Sequence, residues 1–135
     1  GQDNEIWSFG DDVYQMLVPL LQLRARLKPY ISEIMKAAHE NGEPLMRPLF
    51  FDFSKDECAW MVEDEYMFGP KLLVAPVTRE GVDCRSVYLP ELPKGEKWTE
   101  AVTGKKYKGG RCVKASAPLG KIPVFTRGKF EIELF

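Results

Sequence analysis

The sequence predicts an α+β fold, in which helices at the amino terminus are followed by an antiparallel β-sandwich. Apolar residues recur at helical spacing as far as Gly42, which is typical of helices with an apolar face. From Pro44 onward they form short runs separated by glycine and proline, the pattern of a series of short strands. The run from Leu72 to Val77 is apolar without alternation, which indicates a strand buried on both faces.

The first predicted helix follows a polar loop that covers residues 1–10. It begins at Asp11 or Asp12, because a carboxylate is favourable beside the free N–H groups of a helix start. Apolar residues occupy nearly its whole circumference, so the helix has to be covered on nearly every side. Pro19 predicts a kink or a restart near Val18.

The second predicted helix runs from Pro29, which suits a first helical turn, to Asn41 before Gly42, which suits a helix end. After Pro44 the predicted elements are short. They are strands at 49–53, 72–77, 85–89, 98–102, 112–115, 122–126 and 130–134, with one helical turn at 56–60.

Size and composition indicate one globular domain of 135 residues, 44% hydrophobic and 29% charged. Lysine and arginine number 19 against 20 for aspartate and glutamate, a formal net charge of −1. This balance argues against nucleic-acid binding, which depends on neutralising phosphates. No apolar run has the length of a membrane span. We therefore predict neither a nucleic acid nor a membrane as a partner.

The cysteines and the single histidine predict no metal site and no cofactor. Cys58, Cys84 and Cys112 are far apart and lack Cys-x-x-Cys spacing, which favours reduced thiols and, slightly, a cytoplasmic location. His39 lies beside Glu40 at a predicted helix end, where a capping or solvent-facing role is favoured over catalysis. The chain begins with Gly1, which indicates either a processed chain or a piece of a longer one.

The best paired-carboxylate candidate is the acidic run from Glu63 to Glu65. Glycoside hydrolysis needs two carboxyl groups on either side of the scissile bond. Adjacent residues of one loop rarely face each other across a sugar, however. A structural role is therefore favoured for Arg47 and Asp64, in which Asp64 or Glu65 pairs with Arg47.

Three tryptophans could stack on sugar rings, because aromatic faces suit the apolar faces of pyranoses. For Trp60 and Trp98, packing in a core or interface is favoured. Trp7 lies in the loop ahead of the first helix, where functional residues often occur. It is the candidate for a residue near a substrate. The basic stretch from Lys105 to Lys114 is interpreted as a solvated hairpin rather than a polyanion patch.

Five motifs occur together in a characteristic order and spacing, and the match covers nearly the whole chain. They are Leu23 to Tyr30, Met46 to Phe50, Met67 to Val77, Val87 to Pro90, and Ala117 to Leu119 with Ile122 to Gly128. In these the chain resembles the C-terminal portion of glycoside hydrolase family 31, the α-glucosidase and α-xylosidase family.

The resemblance implies a division of the chain. Residues 1–43 would be a loop and the closing helices of a truncated (β/α)8 barrel, and residues 44–135 the proximal C-terminal β-sandwich domain. The partner would be the missing catalytic barrel of the same parent chain, through which carbohydrate substrate is bound. Enzymes of this family are retaining and use two aspartates with carboxyl groups about 5 Å apart. Both would lie upstream of Gly1, so the resemblance assigns no catalytic residue to this chain.

The leading hypothesis is therefore a structural C-terminal part of a retaining α-glycosidase that hydrolyses terminal α-glucosides or α-xylosides. An alternative is a non-catalytic carbohydrate-binding β-sandwich module with Trp7 or Trp60 as the platform. A third is an interaction module that pairs through its apolar helix.

Overall fold

The structure, a computed structural model, describes residues 4–135. A short 3-10 helix, Ile6–Phe9, lies in the region predicted as a loop, whose residues 1–3 lie outside the described range. The remaining elements are α1 (Asp11–Arg26), α2 (Lys28–Asn41), β1 (Met46–Pro48), α3 (Leu49–Asp52), α4 (Glu57–Met61), β2 (Tyr66–Phe68), β3 (Leu72–Val74), β4 (Cys84–Leu89), β5 (Trp98–Glu100), β6 (Lys106–Tyr107), β7 (Arg111–Ser116) and β8 (Val124–Arg127).

The two long helices are separated at Leu27 and not near Val18. Helix α1 continues through Pro19, so the predicted restart at Val18 is wrong. The N–H of Leu27 closes α1 by donating to the carbonyl of Leu23. Proline at the second position of α2 needs no N–H partner there, which lets the new helix begin at once.

The strands form two antiparallel sheets. One sheet has six strands in the order β1-β2-β3-β8-β5-β6, and the other pairs β4 with β7 over six residue pairs from Cys84–Ser116 to Leu89–Arg111. The central run of the larger sheet places Met67, Leu73 and Phe125 side by side in one row. All three side chains are fully buried.

The larger sheet is covered on both faces, and this produces three layers. Its one face shares an apolar core with the two-stranded sheet, built from side chains that include Met67, Leu73, Trp98, Phe125, Val87, Leu89 and Ala115. Its other face, through Leu72, Val74 and Val124, packs against Tyr30 and Ile34 of α2 and against Leu134 near the carboxyl end. The predicted mixture of helices and antiparallel sheet is confirmed, and so is a β3 strand with two buried faces.

The prediction of a strand at 49–53 is wrong. Strand β1 ends at Pro48, and Leu49–Asp52 forms one helical turn. Both donor groups of the Arg47 fork reach back to Asp52, with Nε–Oδ2 and Nη2–Oδ1 distances of 2.7 Å. A two-point ion pair between residues five apart holds the chain in a turn, which an extended strand cannot satisfy.

The prediction of a strand at 130–134 is also wrong. These residues lie against the helices instead of joining a sheet. The Phe130 ring meets Tyr30 edge-on with centroids 5.3 Å apart, and Arg26 Nε donates to the carbonyl of Glu133 at 3.1 Å. Leu134 is buried in the same layer. Among the helices in the described part of the chain, none combines the length and the apolar character that crossing a bilayer requires.

Candidate functional site

The buried Arg47 is the centre of one polar cluster, and its partners differ from those predicted. Besides Asp52, its guanidinium donates to the carbonyl of Pro44 at 3.2 Å and lies 3.7 Å from the carboxylate of Glu43. It also sits over the Phe51 ring, 4.9 Å from the centroid. The predicted pairing of Arg47 with Asp64 or Glu65 is wrong, because the nearby turn α3 supplies the carboxylate, and the structural role of Arg47 stays a prediction.

The acidic run instead binds Arg85 of β4. Arg85 Nη2 lies 2.7 Å from Asp64 Oδ2 and 3.5 Å from Glu65 Oε1. Its Nη1 donates to the carbonyls of Asp64 and Pro76. Glu65 Oε1 in turn accepts from the backbone N–H of Tyr88 at 2.8 Å. These contacts join the start of β2 in the large sheet to β4 in the small one.

Glu65 is a buried carboxyl group that is only partly satisfied. Burial raises its pKa from the ordinary 4.5 to about 7, against the opposing effects of the Tyr88 N–H and the Arg85 charge. Within residues 4–135 its Oε2 has no hydrogen-bond partner. Asp64 and Glu65 share one guanidinium and do not face each other across a cleft. They therefore lack the arrangement that glycoside hydrolysis requires.

Asp56 also links distant segments of the chain, a role that no pattern in the sequence predicted. Its carboxylate caps α4 by accepting from the N–H groups of Cys58 and Ala59 at 3.1 and 3.4 Å. It also accepts from the Tyr88 hydroxyl at 2.8 and 2.9 Å and from the N–H of Glu91 at 3.0 Å. Burial, together with the Asp56 carboxylate, raises the pKa of the Tyr88 phenol. An aspartate ahead of a helical turn signals the cap, but its partners more than 30 residues away leave no local signal.

A third carboxylate, Glu100 of β5, is buried and hydrogen-bonded within its own hairpin and to β7. It accepts from the hydroxyls of Thr103 and Tyr107 and from the N–H of Ser116. The Glu100 carboxylate therefore links β5 to its own turn, to β6 and to β7. Both oxygens of the buried Glu100 carboxylate are thus hydrogen-bonded, unlike those of Glu65.

The three tryptophans occupy different environments. Trp98 is fully buried and donates from Nε1 to the carbonyl of Pro90 at 2.9 Å, as its predicted packing role requires. Trp7 is 68% exposed in the 3-10 helix, and its place near a substrate stays a prediction. Trp60 is 55% exposed and stacks on Phe50, with centroids 4.4 Å apart and rings 8° from parallel.

The remaining candidates do not assemble into a centre. His39 is exposed in the last turn of α2. The cysteines form no disulfide in the described part of the chain. Between residues 4 and 135, no three side chains of the metal-ligating types come together.

Helix α1 is an apolar element that this chain covers only in part. None of the residues of Asp11–Arg26, all of which the structure describes, is buried. Leu21 alone exposes 47% of its surface. The apolar circumference of α1 predicted a helix that needs cover on nearly every side, whereas in this chain its apolar residues are at most half-buried.

Residues 42–130 match the family described as the glycosyl hydrolase family 31 C-terminal domain. Alpha-xylosidase A of Aspergillus niger is 39% identical over 95% of this chain and 19% of its own length. The alpha-xylosidase of Saccharolobus solfataricus is 35% identical over 91% of this chain and 16% of its own. A solved family 31 alpha-xylosidase from a soil metagenome, complexed with xylose, superposes with a TM-score of 0.87 at 51% identity.

The chain covers 18% of that solved protein, and it spans less than a fifth of the length of each of these relatives. Their similarity extends over almost all of the present sequence, helices included. On the match over residues 42–130 and on these identities, this chain belongs to glycoside hydrolase family 31.

Proposed function

We propose that this chain is the C-terminal part of a retaining α-glycosidase that hydrolyses terminal α-glucosides or α-xylosides, and that its own contribution is structural. Membership of family 31 is the observation that carries the proposal. Relatives named alpha-xylosidase and neutral alpha-glucosidase C, 39% and 38% identical, indicate the two sugar classes to test.

The proposed division is that of closing barrel helices in residues 1–43 and a proximal β-sandwich in residues 44–135. The family match begins at residue 42, at the glycine that ends α2, which supports a boundary there. The absence of any buried residue from Asp11–Arg26 supports a second body on the far side of that helix. Two antiparallel sheets that share one core support the sandwich.

The structural role is supported by the positions of the carboxylates. A retaining mechanism needs a nucleophile and an acid/base group about 5 Å apart with the sugar between them. Asp52, Asp64 and Glu65 are instead ion-paired to arginines, and Glu100 is hydrogen-bonded inside its hairpin. The proposed partner is therefore the catalytic barrel of the same parent chain.

The test is to read and express the coding sequence upstream of Gly1. We expect a barrel-length segment, and turnover of an aryl α-xyloside or aryl α-glucoside by the longer protein but not by residues 1–135. Replacing the upstream aspartates by asparagine should abolish turnover without unfolding the protein. Turnover by the 135-residue chain alone would overturn the proposal.

One observation favours the carbohydrate-binding alternative, namely the exposed ring of Trp60. Phe50 supports one face of the indole, and its Nε1 donates to the carbonyl of Ser54 at 3.0 Å. These contacts fix the orientation of the indole, while 55% of the Trp60 surface stays exposed to solvent. Titration with maltose or a xylo-oligosaccharide, followed by tryptophan fluorescence, decides between the two functions. Saturable binding that Trp60→Ala removes and Trp7→Ala leaves intact supports the alternative, whereas no binding supports the structural role.

A further inference from the structure

Helix α2 ends in the dipeptide Asn41–Gly42, and both residues are exposed. The side-chain amide of Asn41 is an electrophile with a leaving group, and the backbone nitrogen of Gly42 is the nucleophile next to it along the chain. Glycine has no Cβ to hinder that nitrogen. A Cβ built at Gly42 would meet nothing within 4 Å, so solvent has access to the dipeptide.

Ring closure at this dipeptide converts the asparagine to an acid. The Gly42 nitrogen attacks Cγ of Asn41, and a new N–C bond forms while the bond from Cγ to the amide nitrogen breaks. The proton of the Gly42 nitrogen passes through solvent to the departing amide, which leaves as ammonia. Water then opens the cyclic imide at one of its two carbonyls and gives aspartate or isoaspartate. The reaction needs only water.

The fold holds both reacting groups away from this reaction. The Gly42 N–H donates to the carbonyl of Ala38 at 3.0 Å and so closes α2. The Asn41 amide donates from Nδ2 to Oε1 of Glu43 at 3.4 Å. Because the attacking nitrogen is held by its hydrogen bond in the helical turn, the turn has to open before the ring can close.

Opening the last turn of α2 exposes no buried side chain. Residues 39–42 are exposed and Ala38 is half-buried, and the nearest buried residue of the helix is Ile34. Helix ends with few buried contacts fray, and such local opening costs far less free energy than unfolding of the whole protein. The reaction is therefore accessible from the folded state.

We propose that Asn41 is a site of spontaneous deamidation, and that fraying of the last turn of α2 sets its rate. The inference is independent of the proposed function. The product adds a carboxylate to a segment that already holds Glu40 and Glu43, at the negative end of the helix dipole. Deamidation therefore weakens the turn that slowed it. Isoaspartate also adds a backbone atom at the point where α2 ends and the family match begins.

The test measures deamidation and hydrogen exchange on the same samples of the longer protein. Mass spectrometry of proteolytic peptides gives the deamidation rate of Asn41 at neutral pH, folded and in urea. Hydrogen exchange with fragmentation to single residues gives the protection of the Gly42 amide. We expect folding to slow deamidation by a factor of about ten to a hundred. The same opening frees this N–H for exchange and for attack, so the two factors should agree within about threefold.

Asn4 is the control within the same chain. It is exposed like Asn41, but the next residue is Glu5, whose side chain hinders the backbone nitrogen. In urea, where the fold has no influence, Asn4 should deamidate at least about tenfold more slowly than Asn41. Similar rates at the two asparagines would mean that the glycine is not what makes Asn41 reactive.

The variants Glu40→Gly and Glu40→Ala separate opening of the helix from the chemistry of the dipeptide. Both remove the same charge, and they differ in helix propensity. Folded Glu40→Gly should deamidate about fivefold faster than folded Glu40→Ala, because glycine disfavours the closed turn by about that factor. In urea the two variants should react alike.

The variant Asn41→Asp reproduces one of the two products. Its Gly42 amide should exchange about threefold faster than that of the wild type, because a carboxylate at the negative end of a helix is unfavourable. Unchanged protection would contradict the weakening of the turn by deamidation.

Three results would overturn the proposal as a whole. Equal deamidation rates of the wild type folded and in urea would mean that the turn does not slow the reaction. Equal rates of folded Glu40→Gly and Glu40→Ala would mean that fraying does not set the rate. Slowing by more than about a hundredfold would mean that Asn41 reacts only after a larger part of the protein has unfolded.

Discussion

Glu65 is a single side chain whose ionisation the fold opposes. Its folded pKa of about 7 lies above the ordinary 4.5 because burial removes water that the Tyr88 N–H and Arg85 only partly replace. A group whose folded pKa is raised contributes stability that is complete below the unfolded pKa and is lost as the pH rises through the folded pKa. The relevant window is therefore between about pH 4.5 and pH 7.

We expect the free energy of unfolding to fall by an amount on the order of 3 kcal/mol across this window because of Glu65. In Glu65→Gln, which keeps an oxygen acceptor for the Tyr88 N–H, that part of the pH dependence should disappear. Urea unfolding of the two proteins at pH 5, 6, 7 and 8 measures the difference. Curves that stay parallel across the series would contradict the assignment.

Gly69 is a residue that the packing of α2 on the β2–β3 turn requires. Its φ is +60°, and a Cβ placed there would meet the hydroxyl of Tyr30 and come within 2.7 Å of Cγ2 of Ile34. That hydroxyl donates to the carbonyl of Phe68 at 2.7 Å and accepts from the N–H of Lys71 at 3.2 Å. Any shift that admits a methyl group therefore disturbs both bonds.

We expect Gly69→Ala to lower the free energy of unfolding by about 3 kcal/mol, from overpacking and from the left-handed backbone. Gly81→Ala is the matched control. It has a similar φ of +73° but nothing within 4 Å of the added Cβ, so it should lose about 1 kcal/mol. Denaturant unfolding of both variants gives the comparison, and equal losses would show that Tyr30 and Ile34 can move aside.

At the scale of elements, the short helix α4 is joined to β4 through Asp56. The same carboxylate caps the helix and accepts from the Tyr88 hydroxyl. Helix α4 is too short to be stable from its own hydrogen bonds. Its position therefore depends on this link to a strand of the small sheet.

We expect Asp56→Ala to lower the free energy of unfolding by about 2 kcal/mol, because it removes a helix cap and leaves the half-buried Tyr88 hydroxyl without its acceptor. Tyr88→Phe should lose about 1 kcal/mol. In the double variant the losses should fall short of their sum by about 1 kcal/mol, because the two groups interact. Thermal or urea unfolding of the wild type, the two single variants and the double variant measures this. Additive losses would mean that the cap and the phenol act independently.

The elements that the sequence pattern predicted correctly are those whose bounds are set by neighbouring residues. Strand β4 begins one residue before the predicted 85, and α2 ends at the predicted Asn41, since alternation and a glycine stop are features of neighbouring residues. The prediction of a strand at 49–53 was wrong because Arg47 forms an ion pair with Asp52 in the helical turn. The alternation of apolar residues gives no signal of such a pair. The prediction of a strand at 130–134 was wrong because the apolar residues of this segment pack in the layer of the helices and do not join a sheet.

At the scale of the whole molecule, the sequence predicted that α1 is apolar around nearly its whole circumference. It did not predict which side of the helix this chain covers. Partners such as Arg85 with Asp64, or Asp56 with Tyr88, are brought together by the fold from distant positions. No spacing in the sequence signals them. The family resemblance, by contrast, required only the order of motifs and was confirmed by the match over residues 42–130.

The uneven cover of the two long helices leads to a prediction for the molecule as a whole. Helix α2 buries Tyr30 and Ile34 against the sheet, whereas Asp11–Arg26 buries no residue. In the 135-residue chain we expect amides of α1 to exchange with a protection at least about a hundredfold below that of α2, because α1 contributes no fully buried side chain to the core. In the longer protein the two helices should be protected alike, since the catalytic segment would then cover the open side. Hydrogen exchange with mass spectrometry on both proteins measures this. Equal protection of α1 and α2 in the short chain would mean that α1 needs no further body, and the proposed arrangement of sheet domain, helices and barrel would then lose its physical basis.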